Sequence, residues 1–371
     1  MFNRLIQALL VYLFRACSRK RGPRSRPPEF RRVLLVSTTG LGDTIVSLAA
    51  MRLARQAWPQ SKLYALLHRR WAGLAAACPF LDGVLVYPGK FRRVAGLING
   101  LRRFRPDLTI ILHANDPDVV PLAWLSGAGW LAAHDRSRFA FLLDQVVSNA
   151  DPDRHIAERR MDLIRALAGP MDSLAPRLQI PETVRQAAAE EWRRLGLSDQ
   201  ETLIALNPGG SRQPKRWPDE YWRQLIVRLN RTGGPRLALF GAPQEKAYLR
   251  RLSEAPDRSP IIVAESDLIR TAGLVSRAAA LIGPDSGLVH LAAALGVAVV
   301  VFFGPDKPAL SRPYLPSAPA VILQSSASVC PNVAACHKKT CRPNVCLLHI
   351  TPEMVLTALE RELKFSLDFG Y

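Results

Sequence analysis

Acidic side chains are in short supply in this chain of 371 residues. There are 31 Asp and Glu against 50 Lys and Arg, a formal charge of +19. Such a balance points toward anionic partners, whether nucleic acid, anionic lipid or phosphorylated small molecules. Long apolar runs are also missing. Residues 5–14 are apolar except for Gln7, but a membrane-spanning helix needs roughly 20 such residues. No short tandem repeat is visible. Hydrophobic residues are not scarce: they make up 48% of the chain, with 22% charged, which excludes disorder and allows large buried cores. At roughly 100–200 residues per domain, the length suggests two or three domains.

Part of the charge is local. Residues 1–32 hold nine basic side chains and one acid, Glu29, and so carry +8 of the +19. The basic cluster from Arg15 to Arg32 lies directly behind the apolar stretch, with no small-residue cleavage site. Positive charge there favours cytoplasmic retention over secretion. Residues 1–30 are read as a short interfacial helix and a polybasic segment. Together these would hold a cytoplasmic protein on the inner face of the inner membrane. A plain basic extension is the other reading of the same residues.

From Arg31 the pattern turns α/β. Short apolar runs predict strands at 33–37, 63–67, 84–87 and 108–112. Apolar periodicity predicts helices at 44–58, 71–77, 91–104, 119–125 and 156–168. Residues 169–181 contain three prolines and a glycine, the best domain boundary. The alternation then resumes. Strands are expected at 203–206, 237–240, 261–263, 281–282 and 298–303, and helices at 182–195, 220–230, 244–253, 268–279, 287–295 and 352–363. This order predicts two doubly wound parallel α/β domains, 31–180 and 181–350, across a cleft, with a C-terminal helix and tail at 351–371.

Three loops carry the candidate chemistry. The first is Gly40-Leu41-Gly42-Asp43, between a strand and a helix. Glycines there let backbone approach a ligand, and a helix N-terminus favours anions. A dinucleotide fingerprint is lacking: there is no third glycine, and the second strand runs into His68-Arg69-Arg70 rather than an acid. A Walker loop is lacking too. Asp43 alone can be read as the helix N-cap. The second loop, Asn207-Pro208-Gly209-Gly210-Ser211 with Lys215-Arg216-Trp217-Pro218, is either a phosphate cradle or a solvated basic turn. The third is Gly283-Pro284-Asp285-Ser286-Gly287-Leu288-Val289-His290. Here Asp285 ends a strand and the Ser286 and Gly287 amides open a helix toward an anion, with His290 one turn in. Ligands bind at this carboxyl edge in such sheets, so the functional reading is preferred to a cap and an ordinary core histidine.

These motifs, in this order, resemble glycosyltransferase family 9, the lipopolysaccharide-core heptosyltransferases. Phe240-Gly241-Ala242-Pro243 with Glu245, and His155-Ile156-Ala157-Glu158-Arg159, add to the likeness, which runs from about Arg31 to Leu363. The resemblance implies a GT-B fold, with the acceptor in the first domain and the nucleotide-sugar in the second. It implies inverting transfer, typically from ADP-heptose, with no cofactor or catalytic metal. It makes Asp43 the base, beside the loop glycines Gly40 and Gly42. It gives Lys215 a catalytic role on the diphosphate. Gly210, Ser211, Glu245, Asp285, Ser286, Gly287 and His290 would complete the donor site. The expected partners are a nucleotide-sugar, an anionic glycolipid and the membrane surface. No nucleic-acid module is recognisable. A nucleotide-sugar epimerase, which needs no acceptor, shares the architecture and is the alternative, as is a family member using another donor or a protein acceptor.

Four cysteines, Cys330, Cys336, Cys341 and Cys346, fall within the segment 330–346. Their spacing is not that of a zinc ribbon. A cytosolic setting disfavours disulfides, which leaves a structural Zn or Fe site or reduced, partly buried thiols.

Overall fold

Val33, Leu34, Leu35 and Val36 are each at most 1% exposed in the computed structural model, so this run is buried on both faces. That is why it reads as continuous rather than alternating, as parallel strands do when helices cover both sides. The structure describes residues 11, 12, 14–16, 18 and 25–364, apart from 114–115, 136, 150, 211, 231–233, 255–257, 315–318, 327–328, 331–335, 337–339 and 342. The chain divides into two compact units, Met1–Leu174 and Ala175–Tyr371.

In chain order the first unit contains β1 (Arg32–Ser37), α1 (Leu41–Ala57), β2 (Lys62–His68), β3 (Gly83–Tyr87), α2 (Val94–Phe104), β4 (Leu108–Ile111), α3 (Val119–Leu125), β5 (Trp130–His134), β6 (Gln145–Val147) and α4 (Ile156–Ala168). The sheet order is β3-β2-β1-β4-β5-β6, and its pairs are parallel. Two strands were not expected. β5 is Trp-Leu-Ala-Ala-His, and alanine has little strand preference of its own; here Ala132 and Ala133 are strand residues because they are fully buried. β6 has only three residues. The helix expected at 71–77 is a 3₁₀ turn, Ala72–Ala77.

Much of the segment 1–30, read above as a membrane-surface anchor, lies outside the described residues. Of the part described, residues 11, 12, 14–16 and 18 are helical. Phe14 packs edge-on against Trp124 at 5.7 Å and Phe139 at 5.8 Å, and the Arg15 guanidinium lies 5.2 Å over the Phe141 ring. Val11 and Phe14 are thus turned to the first unit's core, while Tyr12 is 72% exposed. Among the described residues no helix is long and apolar enough to cross a membrane.

The second unit contains α5 (Glu182–Arg194), β7 (Leu203–Leu206), α6 (Asp219–Leu229), β8 (Arg236–Gly241), α7 (Lys246–Leu252), β9 (Ile261–Ala264), α8 (Leu268–Val275), β10 (Ala280–Pro284), α9 (Gly287–Ala294), β11 (Ala298–Phe303), β12 (Ala320–Gln324) and α10 (Pro352–Thr357). Its order is β12-β11-β10-β7-β8-β9, again parallel. β12, Ala-Val-Ile-Leu-Gln, is a half-buried edge strand that was not expected, although it carries a short apolar run. The helix expected at 268–279 ends at Val275, because Ala280 already starts β10.

An aromatic cluster anchors the loop after β7. Trp217 and Trp222 are at most 1% exposed, with ring centroids 4.9 Å apart, and Phe302 of β11 lies 4.8 Å from Trp217. The Trp217 Nε1–H donates to the Ile350 carbonyl at 2.7 Å. Each buried ring contributes about 2–3 kcal/mol. Val355, Leu356 and Leu359 join the same core, so the C-terminal helix belongs to the second unit's packing. Trp217 therefore fixes a loop whose other residues carry the charges.

Candidate active site

Both candidate regions lie at the carboxyl edge of their sheets, where parallel strands present loops and helix starts to ligands. In the first unit, α1 starts at Leu41 with Gly40 as its N-cap. Asp43 therefore lies in the first turn and does not cap the helix. Gly42 is also in that turn. Gly40 has φ −68° and a methyl there would make only ordinary contact with the Asp43 carboxylate, so neither feature demands glycine at position 40.

The Asp43 side chain is 34% exposed. Its Oδ1 accepts from Arg160 Nη2 at 2.6 Å, and its Oδ2 accepts from the Thr39 hydroxyl at 3.0 Å. The other guanidinium nitrogen of Arg160 donates to the Asp43 carbonyl and to Ser47 Oγ. Burial pushes the Asp43 pKa up, but the Arg160 and His113 charges and two hydrogen bonds outweigh it and hold the group at about 2. His113 shows the opposite response. It is buried, and burial with Arg160 nearby lowers its pKa to about 4, so the ring is neutral at pH 7. Thr38 donates to Asp116, which pairs with Lys90 at 3.2 Å.

In the second unit the centre is Lys215, whose side chain is 15% exposed. Its ammonium lies 2.6 Å from Asp285 Oδ2 and 2.8 Å from Asp306 Oδ2. Burial alone would lower its pKa; the two carboxylates raise it. Arg212 reaches both oxygens of Asp306, at 2.8 and 3.1 Å. Burial raises the Asp285 pKa, and His290 and Lys215 reverse this to a net lowering. His290 Nε2 stands 3.6 Å from Asp285 Oδ1, beyond hydrogen-bond reach but close enough to act electrostatically. Ser286 is the N-cap of α9 but makes no capping bond. Its hydroxyl donates instead to Asn207 Oδ1 at 2.8 Å, leaving the first amides of α9, from Gly287 on, without a side-chain cap.

Glu245 lies in a 3₁₀ turn after β8 and accepts the Ala242 N–H at 2.9 Å. A methyl at Gly209 would come within 3.0 Å of its Oε1, and one at Gly241 within 3.1 Å of its Oε2. Gly210 faces the Arg216 stem and the Lys215 backbone. Ser211 lies outside the described residues.

Sequence reading missed Arg160, His113, Thr39, Arg212 and Asp306. Two signals could have found some of them. Arg160 shares the buried face of α4 with Ala157, Met161 and Ile164, and an arginine in an apolar stripe needs a partner. Gly-Pro-Asp occurs twice, at the end of β10 and just after β11, and both aspartates meet on Lys215.

The structure lends the four-thiolate site no support. Among the described residues no three His, Cys, Asp or Glu side chains group to hold a metal, and the cysteines described are free. Cys341 Sγ turns to the Pro343 carbonyl at 3.5 Å and Cys346 Sγ to Asn344 Oδ1 at 3.2 Å. Burial, with Cys330 and Cys341 nearby, pushes the Cys346 thiol up to about 11.

A family model for glycosyltransferase family 9 (heptosyltransferase) matches residues 122–341, more than half of the chain. Lipopolysaccharide heptosyltransferase 1 of Pseudomonas aeruginosa is 28% identical over 367 residues, covering 90% of this chain and 98% of that protein. Two solved structures share the fold. The family 9 glycosyl transferase from Veillonella parvula gives a TM-score of 0.79 at 23% identity, over 92% of this chain and 99% of that one. Escherichia coli ADP-heptose lipopolysaccharide heptosyltransferase II gives 0.73 at 22%, over 90% and 100%. With two Rossmann-like parallel sheets of the GT-B class and these motifs in order, the chain belongs to glycosyltransferase family 9 and is a glycosyltransferase.

Proposed function

We propose that this enzyme moves a heptosyl residue from ADP-heptose to a lipopolysaccharide-core acceptor, with inversion and without a catalytic metal. The first unit takes the acceptor and the second the donor. Asp43 removes the acceptor proton as the hydroxyl oxygen attacks the anomeric carbon, and the bond to the diphosphate breaks on the opposite side of that carbon. A carboxylate held near 2 is a weak base, so it takes the proton only as the new C–O bond makes that proton acidic. Most of the barrier lowering then falls to the leaving group. Lys215, Arg212, Gly210, Ser211 and the free amides of α9 at Gly287 receive the charge that develops on ADP. Glu245 faces the nucleoside, and Asp285, Ser286 and His290 set the position of Lys215 and the α9 terminus.

The observation that carries the reading is a carboxylate, one-third exposed, kept ionised at the carboxyl edge of the first sheet. The names of the curated Pseudomonas relative and of the Escherichia coli structure support the choice of sugar and acceptor. The basic N-terminal segment supports a cytoplasmic enzyme, peripheral on the inner membrane, where an anionic glycolipid acceptor resides. The test is incubation with ADP-heptose and heptose-deficient lipopolysaccharide. ADP release that requires the acceptor, with a mass gain of one heptose, is expected. Turnover of a different nucleotide-sugar, or of ADP-heptose without acceptor, would overturn the proposal.

A further inference from the structure

Around Asp43 the hydrogen bonds close into a ring. Starting at the carboxylate, Oδ2 meets Thr39 Oγ1 at 3.0 Å, and Thr39 Oγ1 lies 3.3 Å from His113 Nε2. His113 Nε2 lies 3.1 Å from Ser37 Oγ, which donates to Ser47 Oγ at 3.1 Å. Ser47 accepts from Arg160 Nη1 at 3.0 Å, and Arg160 Nη2 returns to Asp43 Oδ1 at 2.6 Å. Ser37, Ser47, His113 and Arg160 are buried.

Proton bookkeeping gives the ring a direction. The ionised carboxylate can only accept, so Thr39 spends its proton on Asp43. Ser47 spends its own on the Asp43 carbonyl at 2.9 Å. Ser37 spends its own on Ser47. The two hydroxyl oxygens facing His113 then have lone pairs to offer, so the ring nitrogen between them must be the donor. This assigns His113 as the Nε2–H tautomer. Its Nδ1 is buried without a partner, which costs less as a lone pair than as an orphaned N–H.

The geometry points to Arg160, Thr39 and His113 as positioning residues for the proposed base: Arg160 fixes one carboxylate oxygen, Thr39 the other, and His113 keeps the Thr39 hydroxyl turned to Asp43. The assignment rests on the reading of Asp43 as the base. It fits the burial. Holding both oxygens restricts the carboxylate to one orientation, with its exposed edge left for the acceptor hydroxyl, and such orientation is a large lever on rate. The charged and titratable groups facing Asp43 are Arg160 from α4 and His113 behind β4. Asp116, in the loop after β4, is occupied by Thr38 and Lys90.

A double-mutant cycle on the full chain tests this, with kcat and KM from the ADP-heptose assay and ADP affinity from calorimetry. Arg160→Met is expected to lower kcat about 10–100-fold with ADP affinity unchanged, and Arg160→Lys to recover part of the loss. On an Asp43→Asn background the same change should cost nothing further, because it acts through the missing group. Losses that multiply would overturn the positioning role. Without Arg160 the burial of Asp43 is uncompensated, so an acid limb absent from the parent above pH ~4 should enter the profile and withdraw again in Arg160→Lys. An unchanged profile counts against the inference. Should Arg160→Met not fold, Thr39→Val decides in the same cycle, with Thr39→Ser restoring the rate. The His113 ring should give the ¹⁵N shifts of a neutral Nε2–H imidazole at pH 7, and any other form removes it from the ring. If Asp43→Asn keeps its turnover, the base reading itself falls. If it loses turnover while the cycle is multiplicative, only the present inference does.

Discussion

The two units are built on the same sheet order around central groups of opposite charge. Read outward from the first strand of each, both follow the order third, second, first, fourth, fifth, sixth. In the first unit the centre is a carboxylate, Asp43, and a cation serves it. In the second the centre is an ammonium, Lys215, and two carboxylates serve it. Each partner set stabilises the charged form of its central group against burial. The fold therefore decides where a charged group stands, and the local partners decide which charge is kept. That division fits the proposed transfer, in which one substrate gives up a proton and the other a diphosphate: one base and one anion receiver.

The largest break in this comparison is removal of the acid. Asp43→Asn should lower turnover about 10²–10⁴-fold while ADP binding, measured by calorimetry, is unchanged. Next comes the cation. Lys215→Met should cost about 10²–10³-fold in kcat and weaken ADP binding. It should also lower the melting temperature, because Asp285 and Asp306 would then face each other without their shared cation. A smaller effect sharpens the contrast. If Lys215 and Arg212 receive the diphosphate as proposed, Asp306 competes with it for them, so Asp306→Asn should tighten ADP binding about threefold to tenfold, where a purely structural carboxylate would leave affinity unchanged.

The smallest effect is on acid stability. Asp43 and Asp285 have folded pKa values below their ordinary 3.8, Asp43 near 2. Depressed carboxylates stabilise the fold above the ordinary value, and that contribution disappears as pH falls through the folded value. Melting temperature should therefore decline between pH 3.8 and about 2, and Asp43→Asn should flatten part of that decline.

The sheets and the loops at their edges were legible because parallel strands buried on both faces leave unbroken apolar runs. The strand bounds at 203–206 and 298–303 match the structure for the same reason, and the helix bounds at 119–125 and 156–168 match through apolar periodicity. β5 was not legible, because it is a strand only through burial; β12, Ala-Val-Ile-Leu-Gln, has the apolar run and was passed over. In the site, the acid and the lysine were visible within their motifs. Arg160 and His113 were not, because they reach Asp43 from 117 and 70 positions away in sequence, and only the packing of α4 and β4 beside β1 and α1 brings them there. The cysteine cluster gained no such support: closeness along the chain suggested a common ligand, and Cys341 Sγ turns to the Pro343 carbonyl while Cys346 Sγ turns to Asn344 Oδ1.

Trp217 gives the second unit an optical readout of its own. Its indole is sealed in the core and tied to the Ile350 carbonyl, yet it stands two residues from Lys215. A nucleotide that draws Lys215 away from Asp285 and Asp306 pulls on a short, stiff segment ending in that ring. Emission from the buried indole, with Trp222 beside it, would then track donor occupancy on the unmodified protein, with no label attached.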